Sequence, residues 1–170
     1  MERQHAILID AMTAYDHGDP ERIQHFIKVH DFAATIGVLE GLDEEEQFIL
    51  ETAAIVHDIG IRNSVEKYHS SAGKYQEIEG PGEAEKLLCS IGGYTKEQIE
   101  RVKYLVAHHH TYSGVEGMDY RILLEADFLV NHYENHDRYS DIQKAKEVIF
   151  RTEAGTRLLT TMFETEDNEA

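Results

Sequence analysis

The chain has 170 residues, a formal net charge of −17 and a single cysteine. A chain of this length can bury a full core, and one cysteine excludes a disulfide framework. The negative charge argues against nucleic-acid polymers and anionic membranes as partners, because both bind basic surfaces. No apolar run reaches the roughly 18 residues that cross a bilayer, and the polar N-terminus does not resemble a signal peptide, so a cytoplasmic location is the default expectation.

The hydrophobic pattern of the first half of the chain is helical. Apolar residues at helical spacing predict a first helix that ends before Pro20, a second from Pro20 to Gly41, and a third that Asp43 caps and that runs to His57. The segment 61–80 is polar and interrupted by glycines, so we expect a loop with little regular structure there.

The second half continues the pattern. A fourth helix is predicted from near Pro81 to Gly92, and Thr95 with Gln98 is predicted to cap a fifth that leads to three consecutive histidines. Cys89, between apolar neighbours, is expected to be a small buried hydrophobe. The remaining predicted elements are a loop over 110–118, a helix through 122–129, a helix that Ser140 caps with Gln143, and a short helix that ends near Phe163.

No alternation typical of a strand persists along the chain, and no repeat or linker is visible. The sequence therefore predicts an all-α fold, a single domain over 1–163 that forms a bundle of about seven or eight helices. The acidic residues 164–170 are expected to be a frayed tail. A homodimer is left open.

One adjacent histidine and aspartate stand at the end of an apolar helix. The buried segment 53–56 leads directly into His57 and Asp58, and Gly60 follows. Adjacent side chains on a helix point about 100° apart, so both can reach one point only if the helix ends there, and the glycine fits such a break. The same dipeptide occurs twice elsewhere in the chain, so its context singles it out. A nitrogen and an oxygen ligand delivered from a buried helix end indicate a metal site.

Two further residues strengthen this interpretation, although each alone has another explanation. His25 borders a mostly apolar face of the second helix, where a lone histidine is more often a satisfied core residue than a ligand. Asp127 lies in a nearly apolar helix, and burying it unpaired would cost several kcal/mol, so it needs a cation, a hydrogen-bonding partner or a metal. With the doublet, three helices would supply a shell of nitrogen and oxygen ligands with open positions.

The order His25, His57-Asp58, Asp127, with Ile-Gly after the doublet, resembles the HD-domain superfamily of metal-dependent phosphohydrolases over about residues 20–135. The resemblance implies a helical bundle in which these four residues bind a divalent metal ion. It also implies hydrolysis of a small phosphate ester or nucleotide by metal-activated water. One or two ions of Mn²⁺, Mg²⁺, Ni²⁺, Fe or Zn²⁺ are the expected cofactors.

Many members of this superfamily bind a second ion through additional histidines. His108 and His109, followed by Gly114, resemble the histidine pair of the HD-GYP branch, which implies that both are ligands. His110 is then a loop residue or a substrate contact, and a shift of one residue would exchange these roles. Glu79 stands where that branch has a further ligand histidine, so it is either an oxygen ligand or a solvated loop acid.

The chain also departs from that branch. Ile61 stands where the branch has a lysine, and the Gly-Tyr-Pro signature is missing, so cyclic-dinucleotide hydrolysis is not supported. Arg62 and Lys67 are candidate catalytic residues that would hold the phosphate, or they are solvated loop charges. Arg22 is a candidate substrate contact. Weaker candidate ligands, each also compatible with an ordinary surface position, are Glu21 and His69.

Three functions remain open at this level. The first is hydrolysis of a small phosphorylated molecule or nucleotide, in which Asp58 would bridge two ions. The second is a non-catalytic regulatory domain that keeps the metal ligands and binds a small molecule. The third is a mixed-valence di-iron oxygenase on the same scaffold, which iron content and an absorbance band would reveal.

Overall fold

A computed structural model describes residues 2–164, and in this range the chain forms nine α-helices and no strand. The predicted all-α class is confirmed, with more helices than expected. The predicted frayed tail falls almost entirely on residues 165–170, which lie outside the described residues. The helices are α1 (Arg3–Tyr15), α2 (Pro20–Glu40), α3 (Glu44–Val56), α4 (Ile61–Tyr68), α5 (Gly73–Ile91), α6 (Lys96–Val106), α7 (Met118–Glu134), α8 (Tyr139–Val148) and α9 (Glu153–Phe163).

Three helices form the centre of the bundle. α2 packs against both α3 and α7, and α3 also contacts α7, so each of the three touches the other two. Their facing sides are apolar and fully buried, as Ile36, Leu50 and Leu123 illustrate. Because helices packed this closely keep their side chains in fixed positions, polar groups on the same sides are held rigidly as well.

Most of the predicted helix starts are confirmed. The Asp43 side chain accepts a hydrogen bond from the Glu46 amide at 2.8 Å, and Thr95 with Gln98 forms a reciprocal capping box. The predicted cap at Ser140 is wrong, because Arg138 holds the extended N-cap conformation and Ser140 lies inside the first turn of α8.

The predicted loop over 61–80 is also wrong, since this segment contains all of α4 and the first part of α5. Pro81, taken as a helix start, lies inside α5. The glycines that indicated a loop instead permit close packing: a Cβ atom on Gly60 would lie 2.7 Å from the backbone nitrogen of Gly80. The glycines therefore mark a place where two backbone segments approach closely. A single sequence cannot distinguish such glycines from those of a flexible loop.

Cys89 is exposed on α5, so its prediction as a buried residue is wrong. Its neighbour Leu88 is fully buried, and successive residues on a helix face directions about 100° apart.

Among the described helices, none combines the length and apolar character needed to cross a membrane.

The close approach between Gly60 and Gly80 leads to a prediction about stability. We expect Gly60→Ala to lower the free energy of unfolding by about 1–3 kcal/mol or more, because the added methyl group meets backbone atoms that cannot rotate away. Gly82→Ala, an exposed position on α5 with open space around it, should instead stabilise by about 0.5–1 kcal/mol. Urea unfolding of both variants measures the difference, and equal midpoints would contradict the packing argument.

Candidate metal centre

The His57-Asp58 doublet lies at a helix end, as predicted. α3 ends at Val56, a turn follows, and α4 begins at Ile61. The His57 side chain is fully buried, whereas 18% of the Asp58 side chain is exposed. Because the helix ends here, both side chains reach the same point, with His57 Nε2 3.5 Å from Asp58 Oδ2.

His25 and Asp127 bring their polar atoms to that same point. His25 Nε2 lies 3.2 Å from Asp127 Oδ1, 3.3 Å from His57 Nε2 and 3.5 Å from Asp58 Oδ2. His57 Nε2 is 3.5 Å from Asp127 Oδ1. The two Nε2 atoms and either carboxylate oxygen have separations that allow all three to lie about 2.1 Å from a common centre, which is the ligand distance of a transition-metal ion. Two imidazoles and two carboxylates are also a donor set that such ions accept.

The imidazoles around this point share one orientation. In each ring Nδ1 has a hydrogen-bond acceptor close by, which fixes the proton on Nδ1 and leaves the Nε2 lone pair directed at the cluster. Outer hydrogen bonds of this kind orient metal-binding histidines and raise their basicity. The acceptors are the Glu134 carboxylate for His25 (2.7 Å), the Ala54 carbonyl for His57 (2.8 Å) and the Val106 carbonyl for His109 (2.8 Å).

A second group of ligand atoms forms on the other side of Asp58. Asp58, His109 and His110 offer ligand atoms within 4.8 Å of one another, and His109 Nε2 is 3.4 Å from Asp58 Oδ1. Within the described part of the chain, neither His109 Nε2 nor His110 Nε2 has a hydrogen-bond partner, although both atoms are buried. Buried nitrogens left unpaired beside a carboxylate fit a cation bound between them. Asp58 therefore lies between two groups of ligands.

The carboxylates of the cluster favour a positive charge among them, which is either a proton on a histidine or a bound cation. Burial lowers the pKa of His25, but the hydrogen bond and charge of Asp127 together with the charge of Asp58 outweigh it and raise the pKa to about 9. Burial raises the pKa of Asp127, and its contacts with His25 and His57 more than reverse this, so its pKa lies well below the usual range. In the absence of a metal the cluster thus holds a proton on His25, which a divalent ion would replace.

His110 differs from His25 in its protonation. Burial and then the neighbouring His109 lower the pKa of His110 to about 4, so its imidazole is neutral at pH 7. A neutral imidazole can bind a metal ion or donate a hydrogen bond to a substrate. Both interpretations of His110 remain compatible with the structure.

The structure brings His109 and His110, rather than His108, to Asp58. The His108 ring packs on Tyr104, with ring centroids 4.3 Å apart, and its Nδ1 donates to the Tyr104 carbonyl at 2.7 Å. α6 ends at Val106 and a tight turn follows, so successive histidines point in different directions. The shift of one residue that the sequence left open is the arrangement seen here.

Glu79 and Lys67 interact with each other. Lys67 Nζ donates to Glu79 Oε2 at 2.5 Å, and the Tyr68 hydroxyl donates to Glu79 Oε1 at 2.9 Å. Among the residues described, neither charge belongs to a group of candidate metal ligands. A metal role for Glu79 and a phosphate role for Lys67 therefore remain predictions, and each would require this ion pair to open. His69, exposed at the end of α4, stays a prediction as well.

Arg22 and Arg62 line one cavity of about 170 Å³ together with Tyr15, Asp16, His17 and Asp19. The cavity lies beside the doublet, because the Tyr15 hydroxyl donates to the Ile59 carbonyl at 3.4 Å. Burial raises the pKa of Asp16, and the charges of Asp19 and Asp58 add to it. The two arginines predicted to hold phosphate are thus neighbours.

Sequence reasoning missed Glu134, which hydrogen-bonds His25 and also accepts from Lys28 Nζ at 2.5 Å. It lies about two helical turns after Asp127 and so on the same face of α7. This periodicity was the available signal, but the helix was predicted only as far as Leu129.

The fold and the cluster define an all-α protein whose buried His and Asp side chains can hold divalent metal ions. A family model described as HD domain matches residues 22–149, and the chain belongs to the HD-domain family. This confirms the resemblance, and the match includes His25, the doublet and Asp127. No curated protein and no solved structure matches the chain.

The hydrogen bond from Glu134 to His25 leads to a prediction about metal affinity. We expect Glu134→Gln to weaken binding of Mn²⁺ about 10-fold or more, because the amide no longer supports the His25 ring with a negative charge. Titration calorimetry of the metal-free protein measures the affinity. Glu97→Gln, an exposed change on α6, is the matched control and should leave it unaltered. Equal affinities in the two variants would show that Glu134 has no influence on the centre.

Proposed function

We propose that this protein is a metal-dependent phosphohydrolase that acts on a small phosphate ester or nucleotide. The observation that carries the proposal is the position of Asp58. Its Oδ2 faces His25 and His57, while its Oδ1 faces His109. A carboxylate shared in this way can bridge two cations, the arrangement used by two-metal phosphatases. The HD-domain family consists mostly of metal-dependent hydrolases, which supports the reaction class.

The residues of the cluster prepare the site for this chemistry. A bound divalent ion would lower the pKa of a coordinated water toward about 7 and offset negative charge on phosphoryl oxygens. Hydrogen bonds at Nδ1 direct the Nε2 atoms of His25 and His57 toward the cluster, where each could bind an ion that displaces its proton. Asn131 Nδ2 donates to Asp127 Oδ1 at 2.8 Å and so keeps that carboxylate in place.

The cavity of Arg22 and Arg62 supports a phosphorylated substrate. A protein of net charge −17 repels anions, so an anionic substrate needs a local positive surface to bind. Two guanidinium groups face the cavity beside the doublet, and guanidinium forks match phosphate oxygens. Arg22 Nε pairs with Asp19 Oδ2 at 3.4 Å, so a bound phosphate would replace that carboxylate, and cations held at the doublet would add the positive charge. The small volume of the cavity and the carboxylates of Asp16 and Asp19 in its wall favour a small ester over a polyanion.

Removing the shared carboxylate tests the proposal. We expect Asp58→Asn to lower the release of phosphate at least about 100-fold, because the amide cannot bridge two cations or balance their charge. The assay uses a panel of nucleotides and phosphate esters with Mn²⁺, Mg²⁺, Ni²⁺ and Zn²⁺. Asp141→Asn, at a half-exposed position of α8 outside the cluster, is the control and should retain full activity.

The outcomes of this assay separate the three functions. If the unmodified protein releases no phosphate from any compound with any of these ions, the proposed hydrolysis is wrong. Tight binding of a panel compound without turnover would then favour a regulatory domain. Oxygen consumption by iron-loaded protein, with a new absorbance band, would favour an oxygenase.

The arginine cavity leads to a separate prediction about substrate affinity. We expect Arg22→Met and Arg62→Met each to raise KM about 10-fold while changing kcat less, because each removes one charge-assisted contact to phosphate. Arg138→Met removes an exposed arginine of α8 and should leave KM unchanged. Steady-state kinetics with the best ester from the panel gives both constants. A KM unaffected by either cavity variant would place substrate binding elsewhere.

A further inference from the structure

A second cluster of ligand-type side chains lies apart from the residues discussed so far. His5 of α1 and His30 of α2 both face Glu51 of α3: His5 Nδ1 is 3.0 Å and His30 Nε2 3.2 Å from the same oxygen, Glu51 Oε2. The three ligand atoms all lie within 4.8 Å of one another. Both imidazoles are almost completely buried, with 1% and 3% of their surface exposed.

The hydrogen bonds of His5 decide which of its nitrogens carries the proton. The Thr52 hydroxyl donates to the Phe48 carbonyl at 2.8 Å, so its proton is already in use. His5 Nε2 lies 3.3 Å from that carbonyl and 3.2 Å from the hydroxyl oxygen, which are both acceptors here. Nε2 must therefore be the donor, and in a neutral ring Nδ1 keeps a bare lone pair.

In the neutral ring, that lone pair faces the Glu51 carboxylate with no proton between them. His5 Nδ1 is buried and, within residues 2–164, has no hydrogen bond, although Glu51 Oε2 is 3.0 Å away. Two electron-rich atoms this close repel each other unless a positive charge lies beside both. The same pattern occurs at the metal centre, where His109 Nε2 is unpaired 3.4 Å from Asp58 Oδ1.

We propose that His5, His30 and Glu51 bind a divalent transition-metal ion, with Zn²⁺, Co²⁺ or Ni²⁺ as the class of ligand. Two imidazole nitrogens and one carboxylate oxygen suit these ions, whereas Mg²⁺ and Ca²⁺ prefer oxygen ligands alone. Distances of 3.0 and 3.2 Å between ligand atoms correspond to positions about 2.1 Å from one ion.

The surroundings of the cluster provide both access and support. His30 and Glu51 line a surface cavity of about 490 Å³, through which an ion can enter. Gln47 Nε2 donates to Glu51 Oε1 at 2.7 Å, which holds the carboxylate with Oε2 toward the histidines. An ion bound here connects α1 to α2, which carries His25, and to α3, which ends immediately before His57. It would therefore stabilise the arrangement on which the metal centre depends.

The test is the amount of zinc that the full-length protein binds. Metal-free protein is dialysed against Zn²⁺, and bound zinc per chain is measured by elemental analysis. We expect His30→Asn and Glu51→Gln each to bind one zinc ion fewer than the unmodified protein and to lose part of the increase in Tm that zinc produces. His132→Asn is the matched control, because it removes a buried histidine that pairs with Asp137 outside the cluster.

A second measurement needs no variant and so does not depend on how the variants fold. In the unmodified protein labelled with ¹⁵N-histidine, added Zn²⁺ should shift the Nδ1 resonance of His5 and the Nε2 resonance of His30. Unchanged resonances at saturating Zn²⁺, or the same zinc content in the unmodified protein and both cluster variants, would overturn the proposal. A His5 ring that stays doubly protonated in the presence of zinc would overturn it too, since a proton would then supply the positive charge.

Discussion

The centre of this structure depends on two buried or partly buried carboxylates whose negative charge is compensated by neighbouring histidines. Asp127 is buried and Asp58 is partly buried, and removing carboxylates from water costs several kcal/mol each unless positive charge compensates. His25 and His57 lie within 3.2–3.5 Å of them and supply this charge as a bound proton or as ligands of a cation. Because the four residues come from α2, the turn after α3 and α7, their electrostatic balance and the packing of the bundle depend on each other.

The hydrogen bonds behind the histidines make them unequal. His57 donates to a neutral backbone carbonyl, whereas His25 donates to the Glu134 carboxylate, which also pairs with Lys28. A carboxylate partner makes an imidazole a stronger base and a stronger electron donor than a carbonyl partner does. In the proposed centre, His25 is therefore the candidate ligand through which the charge of Glu134 would act on a bound ion. The negative charges of Asp58 and Glu134 on either side of it suit a doubly charged ion.

Helical periodicity and the resemblance together identified the residues that meet at the centre, because each stands at a position that burial or a helix end restricts. They did not predict which of the histidines at 108–110 face Asp58. That outcome depends on α6 ending at Val106, and a shift of one residue rotates each side chain by about 100°. Nor did they predict helix over 61–80, since the contact between Gly60 and Gly80 exists only in the folded chain. Local patterns thus located the candidate ligands, while tertiary contacts determined the directions of their side chains.

The two histidine–carboxylate clusters differ in how the oxygens of the carboxylate are directed. This difference bears on how many ions each cluster could bind. Asp58 divides its oxygens between two sets of imidazoles, with Oδ1 toward His109 and Oδ2 toward the opposite side. Glu51 directs one oxygen at both of its histidines, and its other oxygen accepts from Gln47. Within the described residues, no second group of candidate ligands faces the oxygen of Glu51 that accepts from Gln47. The proposed site at Glu51 therefore suits a single ion between helices. Asp58 presents one oxygen to each of two groups of candidate ligands, as a bridge between two ions in the proposed hydrolase would require.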